Sequence, residues 1–261
     1  MPEIRRRIRR LVRTMDVPDA KLAIQAFGHA QVRIGEKLLT MSDWQTKSVR
    51  DLFFYFLTMK EPMTKEQIGQ EFWPEIEDAS RLKIRFKNDI YRLRRAVGSD
   101  IILFEDDRYS FNRASDYEYD VDAFEGYLFQ AELTNEPEKQ IGLLQKAIEV
   151  VKGHFLEDIY DDWVFPEQRR INQLYLSTLI NLADLLEKRN QVHEALAICQ
   201  RAISHEVSFE PAYLLAMKIY LRLNDRVNAT RLYEAYTIMM QQELDLPPSP
   251  EMEGIYKSIR H

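Results

Sequence analysis

The sequence predicts a mainly α protein with a small β component, in which a winged helix-turn-helix domain is followed by an all-α tetratricopeptide-like helical-repeat domain. Three observations predict this. Leu82, Phe86, Ile90, Leu93 and Val97 recur at steps of four, four, three and four, the period of a helix with one buried face. Around that stripe stand Arg81, Lys83, Arg85, Lys87, Arg92, Arg94 and Arg95, a cationic face that suits the major groove of DNA. Short strands and two helices precede this helix and a hairpin follows it, the order of a winged helix, and beyond Asn112 a helical pattern repeats at 34 residues.

Composition narrows the function classes. At 261 residues the chain exceeds the usual size of one domain, and 45% hydrophobic with 30% charged residues describes a soluble globular protein. No apolar run approaches the ~18 to 20 residues that cross a bilayer, and the N-terminus has no apolar signal-peptide core, so no membrane association and a cytoplasmic location are expected. Cys199 is the only cysteine, which excludes an intramolecular disulfide, a thiolate zinc site and a CxxC redox site. His29, His154, His193, His205 and His261 are scattered, and no Gly-rich phosphate loop occurs. His154 beside Glu157 and Asp158 reads as solvated charge. No enzyme activity, cofactor or metal is expected.

The net charge of −6 conceals a split. Residues 1–113 hold 22 Lys and Arg against 17 Asp and Glu, a net +5, whereas the remainder holds 14 against 25, a net −11. The front half can neutralise phosphates; the back half would be repelled by them and suits protein partners.

Along the chain, residues 1–20 carry six arginines beside Ile4, Ile8, Leu11, Val12 and Met15 and read as a basic tail or linker, with an amphipathic helix as the alternative; Pro18 ends the pattern. From Lys21, Leu22, Ile24, Phe27, Val32, Ile34, Leu38 and Leu39 fall in short runs broken by Gly28 and Gly35, which predicts two or three strands. A helix follows from about Asp43 to Met59, capped by Ser42 or Asp43, with Val49, Leu52, Phe53, Phe56 and Leu57 inward. Thr64 with Gln67 forms a capping box for a helix to Phe72, closed by Trp73 and Pro74. The cationic helix spans 79–97 and stops at Gly98. Ile101 to Phe104 then faces Tyr109 to Phe111 across Glu105 to Arg108 as a hairpin.

In the back half, Leu186, Asn190, Ala195, Ile198 and Ala202 align at an offset of 34 with Tyr220, Asn224, Ala229, Leu232 and Tyr236, the period of tetratricopeptide hairpins. Pro211 opens the second unit. LLQKAI at 143–148 echoes ICQRAI at 198–203, an earlier unit separated by an inserted segment around Gly153 to Pro166. The expected domains are therefore a segment 1–20, a winged helix at 21–113 and a helical domain at 114–261.

With these modules placed, the sequence resembles the SARP-type bacterial transcriptional activators over about residues 21–260. The front half is similar to OmpR-type winged helices through FG at 27–28, WQTKSVRDLFFYFL at 44–57, FWP at 72–74 and IYRLRRAVG at 90–98. The back half resembles the bacterial transcriptional activator domain through YDVDAFE at 119–125, GHFLEDIYDDW at 153–163, EQRR at 167–170, HEALAICQRAI at 193–203 and the QELDLPPSPEMEGIY that ends at Tyr256. Such a pair of domains also forms the C-terminal end of large MalT-like regulators, with an ATPase ahead of it.

The resemblance implies a DNA-binding regulator, an activator whose third helix reads the major groove of double-stranded DNA. It selects Arg85, Asn88 and Arg92 for bases and Lys87, Tyr91, Arg94 and Arg95 for phosphates, with Arg108 the one cation of the wing. It implies contacts with RNA polymerase or another regulator subunit and homo-oligomers on direct repeats. Two features run against it: Asp89 lies close to the proposed face, and the wing tip carries Glu105, Asp106 and Asp107. They support an alternative, a tetratricopeptide-like interaction scaffold whose winged helix no longer binds DNA.

Overall fold

The computed structural model describes residues 22–243 and 245–260; the basic segment read at 1–20 lies outside the described residues. By packing, the chain forms two compact units. One holds the chain up to Gly126 together with Glu149–Asn172, the other Tyr127–Ile148 together with the chain from Gln173 onward.

The first unit is built on a four-stranded sheet of β1 (Leu22–Gln25), β2 (Gln31–Ile34), β3 (Lys37–Leu38) and β6 (Tyr117–Tyr119) in the order β3-β2-β1-β6. β1 and β2 pair antiparallel with Leu22 opposite Ile34, and Gly35, at a φ of 55°, makes the tight turn to β3. β6 lies parallel to β1, Leu22 opposite Tyr117, and the crossover that a parallel pair requires contains all the helices and the hairpin of the winged helix.

The helix expected from Asp43 to Met59 is two. α1 (Met41–Trp44) is capped by Thr40 in a capping box with Asp43, Gln45 turns left-handed at φ 67°, and Thr46 caps α2 (Lys47–Thr58) by accepting from the Val49 amide at 3.3 Å. α2 is buried nearly all round, from Val49 through Leu57, which marks it as the central helix of the unit. α3 (Lys65–Phe72) carries the capping box of Thr64 and Gln67. Gly69 on α3 faces Leu82, and a Cβ there would lie 2.5 Å from its methyl groups, so this glycine sets the close approach of α3 to α4 (Ala79–Val97). Asp78 caps α4 by accepting from the Arg81 amide at 2.7 Å, and Gly98 at φ 112° ends it.

β4 (Ile102–Glu105) and β5 (Arg108–Phe111) form the wing, with Glu105 opposite Arg108. Asp106 and Asp107 both take positive φ, 51° and 59°, as a two-residue type I′ turn demands. The hairpin is fastened to the loop before α3 by a reciprocal backbone pair between Met63 and Tyr109, at 3.1 and 2.7 Å.

The segment Gly153–Asn172, which holds the insertion read around Gly153 to Pro166 and two of the motifs that carried the resemblance, belongs to this unit. Gly28 N–H donates to the His154 carbonyl (2.9 Å), Leu156 N–H to Ala26 (2.7 Å) and Glu157 N–H to Gly28 (3.2 Å). The approach is close enough that a Cβ on Gly153 would stand 2.9 Å from the Gly28 Cα. Asp158 accepts from the Ala30 amide at 2.9 Å and from Arg50 at 2.5 Å. Burial disfavours its charge, but that amide and the guanidinium outweigh it and hold its pKa below the usual range. Phe155 pairs with Phe27, and Trp163 packs edge-on against Tyr55 at 5.4 Å. Asp120, at the end of β6, accepts from the Ala26 and Phe27 amides at 2.8 Å.

The second unit is helical. It takes α5 (Asp120–Leu133) from Tyr127 onward, α6 (Pro137–Val150) up to Ile148 and α7 (Phe165–Lys188) from Gln173 onward, and then α8 (Val192–His205), α9 (Glu210–Arg222), α10 (Arg226–Glu243) and α11 (Pro250–Arg260). The 34-residue repeat is visible in the backbone. Asn190 and Asn224 take left-handed φ of 62° and 59°, and the next amides, of Gln191 and Asp225, donate back to Leu186 and Tyr220 at 2.9 and 2.8 Å. Ala195 and Ala229 are both fully buried where the next helices cross. Ala147 and Ala202, the echo at offset 55, are likewise fully buried, and Arg201 joins their helices by donating to the Ile148 carbonyl and the Tyr175 hydroxyl. Tyr213, Met217, Ala229, Tyr236, Met240, Met252 and Ile259 form the far core, in which the Tyr236 hydroxyl donates to Glu210 at 2.9 Å. Cys199 is buried and its thiol is pushed up to about 12 by that burial, an unreactive core residue.

A fragment ending at Arg113 loses β6 and the docked segment, and leaves the amides of Ala26, Phe27, Gly28 and Ala30 without partners. It is expected to unfold without a cooperative transition, whereas the full chain melts cooperatively; circular dichroism melts of both check this. Burial also pushes the carboxyls of Asp51 and Asp120 up to about 6. These groups hold protons in the native state that the unfolded chain, near about 3.9, has released, so stability rises as the pH falls from about 7 towards 5. Tm is expected to be higher at pH 5 than at pH 7, and the double variant Asp51→Asn, Asp120→Asn to flatten that rise.

Candidate nucleic-acid interface

α4 buries Leu82, Phe86, Asp89, Ile90, Leu93 and Val97. The face opposite carries Ile84, Asn88, Tyr91 and Arg95 at steps of four, three and four, all exposed; Ile84 and Tyr91 show 62% and 67% of their surface. Arg81, Arg85 and Arg92 follow one flank of this stripe, and Lys83, Lys87 and Arg94 the other. Asn88 and Tyr91 thus stand at the centre of the outward face and Arg85 and Arg92 at its shoulder. Ile84 is absent from the sequence-based set, although its position one turn before Asn88 was available; a methyl group there suits the thymine C5-methyl.

Asp89 is buried and both its oxygens are occupied: Arg85 Nε donates to Oδ2 at 2.9 Å and Arg92 Nη1 to Oδ1 at 3.2 Å. The carboxylate that opposed the DNA reading on sequence grounds faces inward and holds the two arginines assigned to bases. Arg85 is fixed further. Its Nη2 donates to Ser48 Oγ at 3.3 Å, and its guanidinium lies 5.6 Å from the ring of buried Trp73, whose indole N–H donates to the same Oγ at 3.4 Å. The α4 face is therefore built on the N-terminal turn of α2 and on the residue that ends α3.

Arg94 differs from its neighbours. It is half-buried and its Nη2 donates to the Ile102 carbonyl at 2.8 Å, so it ties the helix to the hairpin, with Nε buried. Arg108 is exposed beside the wing tip, opposite Glu105, and donates to the Pro62 carbonyl at 3.0 Å. Lys87 and Arg95 are exposed. At the wing tip Glu105, Asp106 and Asp107 are all exposed, and Phe104 is half-exposed with its ring 4.5 Å from Tyr109. Among the described residues no group of three or more His, Cys, Asp or Glu side chains is placed to hold a metal ion, and no helix is long and apolar enough to cross a membrane.

No curated protein sequence matches the chain. Among solved structures the chain is similar to Mycobacterium tuberculosis EmbR, solved in complex with a low-affinity phosphopeptide, at a TM-score of 0.73 and 14% identity. The likeness covers 93% of this chain and 65% of that one, so the chain spans less than two thirds of the length of EmbR. At that identity the likeness concerns the fold, a winged helix with a helical-repeat domain. The bacterial transcriptional activator domain matches residues 119–260, from β6 through α11 and including the segment docked on the sheet, and the chain, like the SARP-type regulators it resembles, belongs to that family.

Proposed function

We propose that the chain is a sequence-specific DNA-binding regulator that activates transcription from the promoters it marks. α4 lies in the major groove, Arg85, Asn88 and Arg92 meet base edges, and Lys87, Tyr91, Arg95 and Arg108 meet phosphates. Arg94 is left to hold the wing. The observation that carries this reading is the fixed pair of guanidiniums beside an exposed Asn88: Arg pairs with guanine and Asn with adenine in bidentate fashion, each discriminating by roughly 1 to 3 kcal/mol. The acidic tip makes the wing a poor minor-groove element, so the helix supplies most of the recognition. Subunits arranged on direct repeats would add the affinity that one helix lacks.

The helical-repeat region, with its excess of acidic residues, contacts RNA polymerase or another regulator subunit, and the protein acts in the cytoplasm. Membership of an activator-domain family, which is not an enzyme class, supports this assignment. The exposed Glu105, Asp106 and Asp107 favour a second reading, an interaction scaffold without DNA binding. A gel shift on genomic fragments at two salt concentrations separates them. The regulator retards fragments selectively and with steep salt dependence; no retardation at low salt leaves the scaffold.

Two substitutions resolve the face. Asn88→Ala is expected to relax the preferred sequence at one position while leaving the salt dependence unchanged, as read by selection from a random duplex library. Arg95→Ala is expected to weaken binding evenly across sequences and to reduce the slope of log K against log salt by about 1.

A further inference from the structure

We propose that Asp89 sets the specificity of the face, by tethering Arg85 and Arg92 so that they answer to base edges and not to the phosphate backbone at large. The inference rests on the DNA-binding reading above and deepens it.

Asp89 is a carboxylate 1% exposed on the buried side of a helix whose outer face is cationic. It does not stabilise the core as an apolar residue would, and its two oxygens each take one N–H from the two arginines of one flank. Arg85 spends Nε on Asp89 and one Nη2 hydrogen on Ser48, and Trp73 lies against its guanidinium. Its Nη1 group and second Nη2 hydrogen remain on a side chain 44% exposed, a fork of donors that a guanine edge or a phosphate can accept from. Arg92 keeps Nε and Nη2.

Two consequences follow from this wiring. Asp89 removes one unit of positive charge from the flank, so a phosphate passing at any sequence meets a weaker field. It also holds both side chains in one geometry, so the arginines cannot swing freely to the nearest phosphate, while a base pair that presents two acceptors at the held position binds without further ordering. Both effects act on the difference between right and wrong sites, and neither requires Asp89 to touch DNA. Asp89 is in this sense a positioning residue.

The test uses the full chain, a duplex that it selects from genomic fragments, and a random-sequence duplex. With Asp89→Asn, binding to the random duplex is expected to tighten about threefold to tenfold and the salt slope to steepen by about 0.9, while binding to the selected duplex stays level or weakens. The ratio between the two duplexes then falls at least about threefold. An unchanged ratio in a variant that melts cooperatively overturns the proposal. Arg92→Lys, at a partly exposed position, keeps the charge and folds whatever becomes of the first variant. It is expected to keep the salt slope and to lose selectivity, and full selectivity in this variant also overturns the proposal. A wild-type chain that shows no preference between the two duplexes removes the DNA-reading assignment itself, an outcome distinct from either.

Discussion

The backbone amides of Ala26, Phe27, Gly28 and Ala30 lie just past the end of β1, where the chain turns and no strand continues to receive them. Asp120 takes two of them, the His154 carbonyl one and Asp158 one. A buried amide without a partner costs about 1 to 3 kcal/mol, so these acceptors, all beyond the winged helix in sequence, decide whether the sheet keeps its shape. Asp158 carries a second duty. Its other oxygen receives Arg50, which also donates to buried Asp51, and α2 is thereby seated at the point where Ser48 supports Arg85. The position of the cationic helix depends through α2 on a carboxylate 108 residues from the arginine it receives.

Much of the fold was legible because its elements are locally specified. The Thr64 and Gln67 capping box, the stripe of α4, the Gly98 stop and the hairpin are each written in a few adjacent residues, and the structure places them as read. The 34-residue repeat was equally local, down to Asn190 and Asn224 sharing a left-handed turn. What escaped depended on partners distant in sequence. β6 is three residues long and pairs with β1 across the whole winged helix, so the alternation of Tyr117, Glu118 and Tyr119 was its only trace. The break at Gln45 is a single left-handed residue inside a helical pattern. GHFLEDIYDDW was recognisable by resemblance, but nothing in it says that it docks on the sheet and not among the helices that flank it.

The cationic face shows the same limit. Residue types and spacing picked out Asn88, Tyr91, Lys87 and Arg95 as outward, and the structure exposes all four. They could not separate Arg94 from Arg95, because the difference lies in the Ile102 carbonyl that Arg94 meets. Nor could they tell that Asp89 faces inward: a helical wheel puts it at the edge of the buried stripe, where either orientation is open, and its buried carboxylate is satisfied by two partly exposed arginines at i−4 and i+3 that reach it from the flank.

The contact between Gly28 and Gly153 has a bearing on how this protein would behave in a genetic screen. A Cβ on Gly153 would stand 2.9 Å from the Gly28 Cα, and Gly28 itself is held at a φ of 91° that side chains rarely adopt, so both positions favour glycine although 125 residues separate them. A missense change at Gly153 falls within the segment that matches the activator domain, yet the sheet it would push away is the platform of the winged helix. A map of loss-of-function alleles drawn by chain position would file it under activation, while its physical lesion lies in the module beneath the cationic helix.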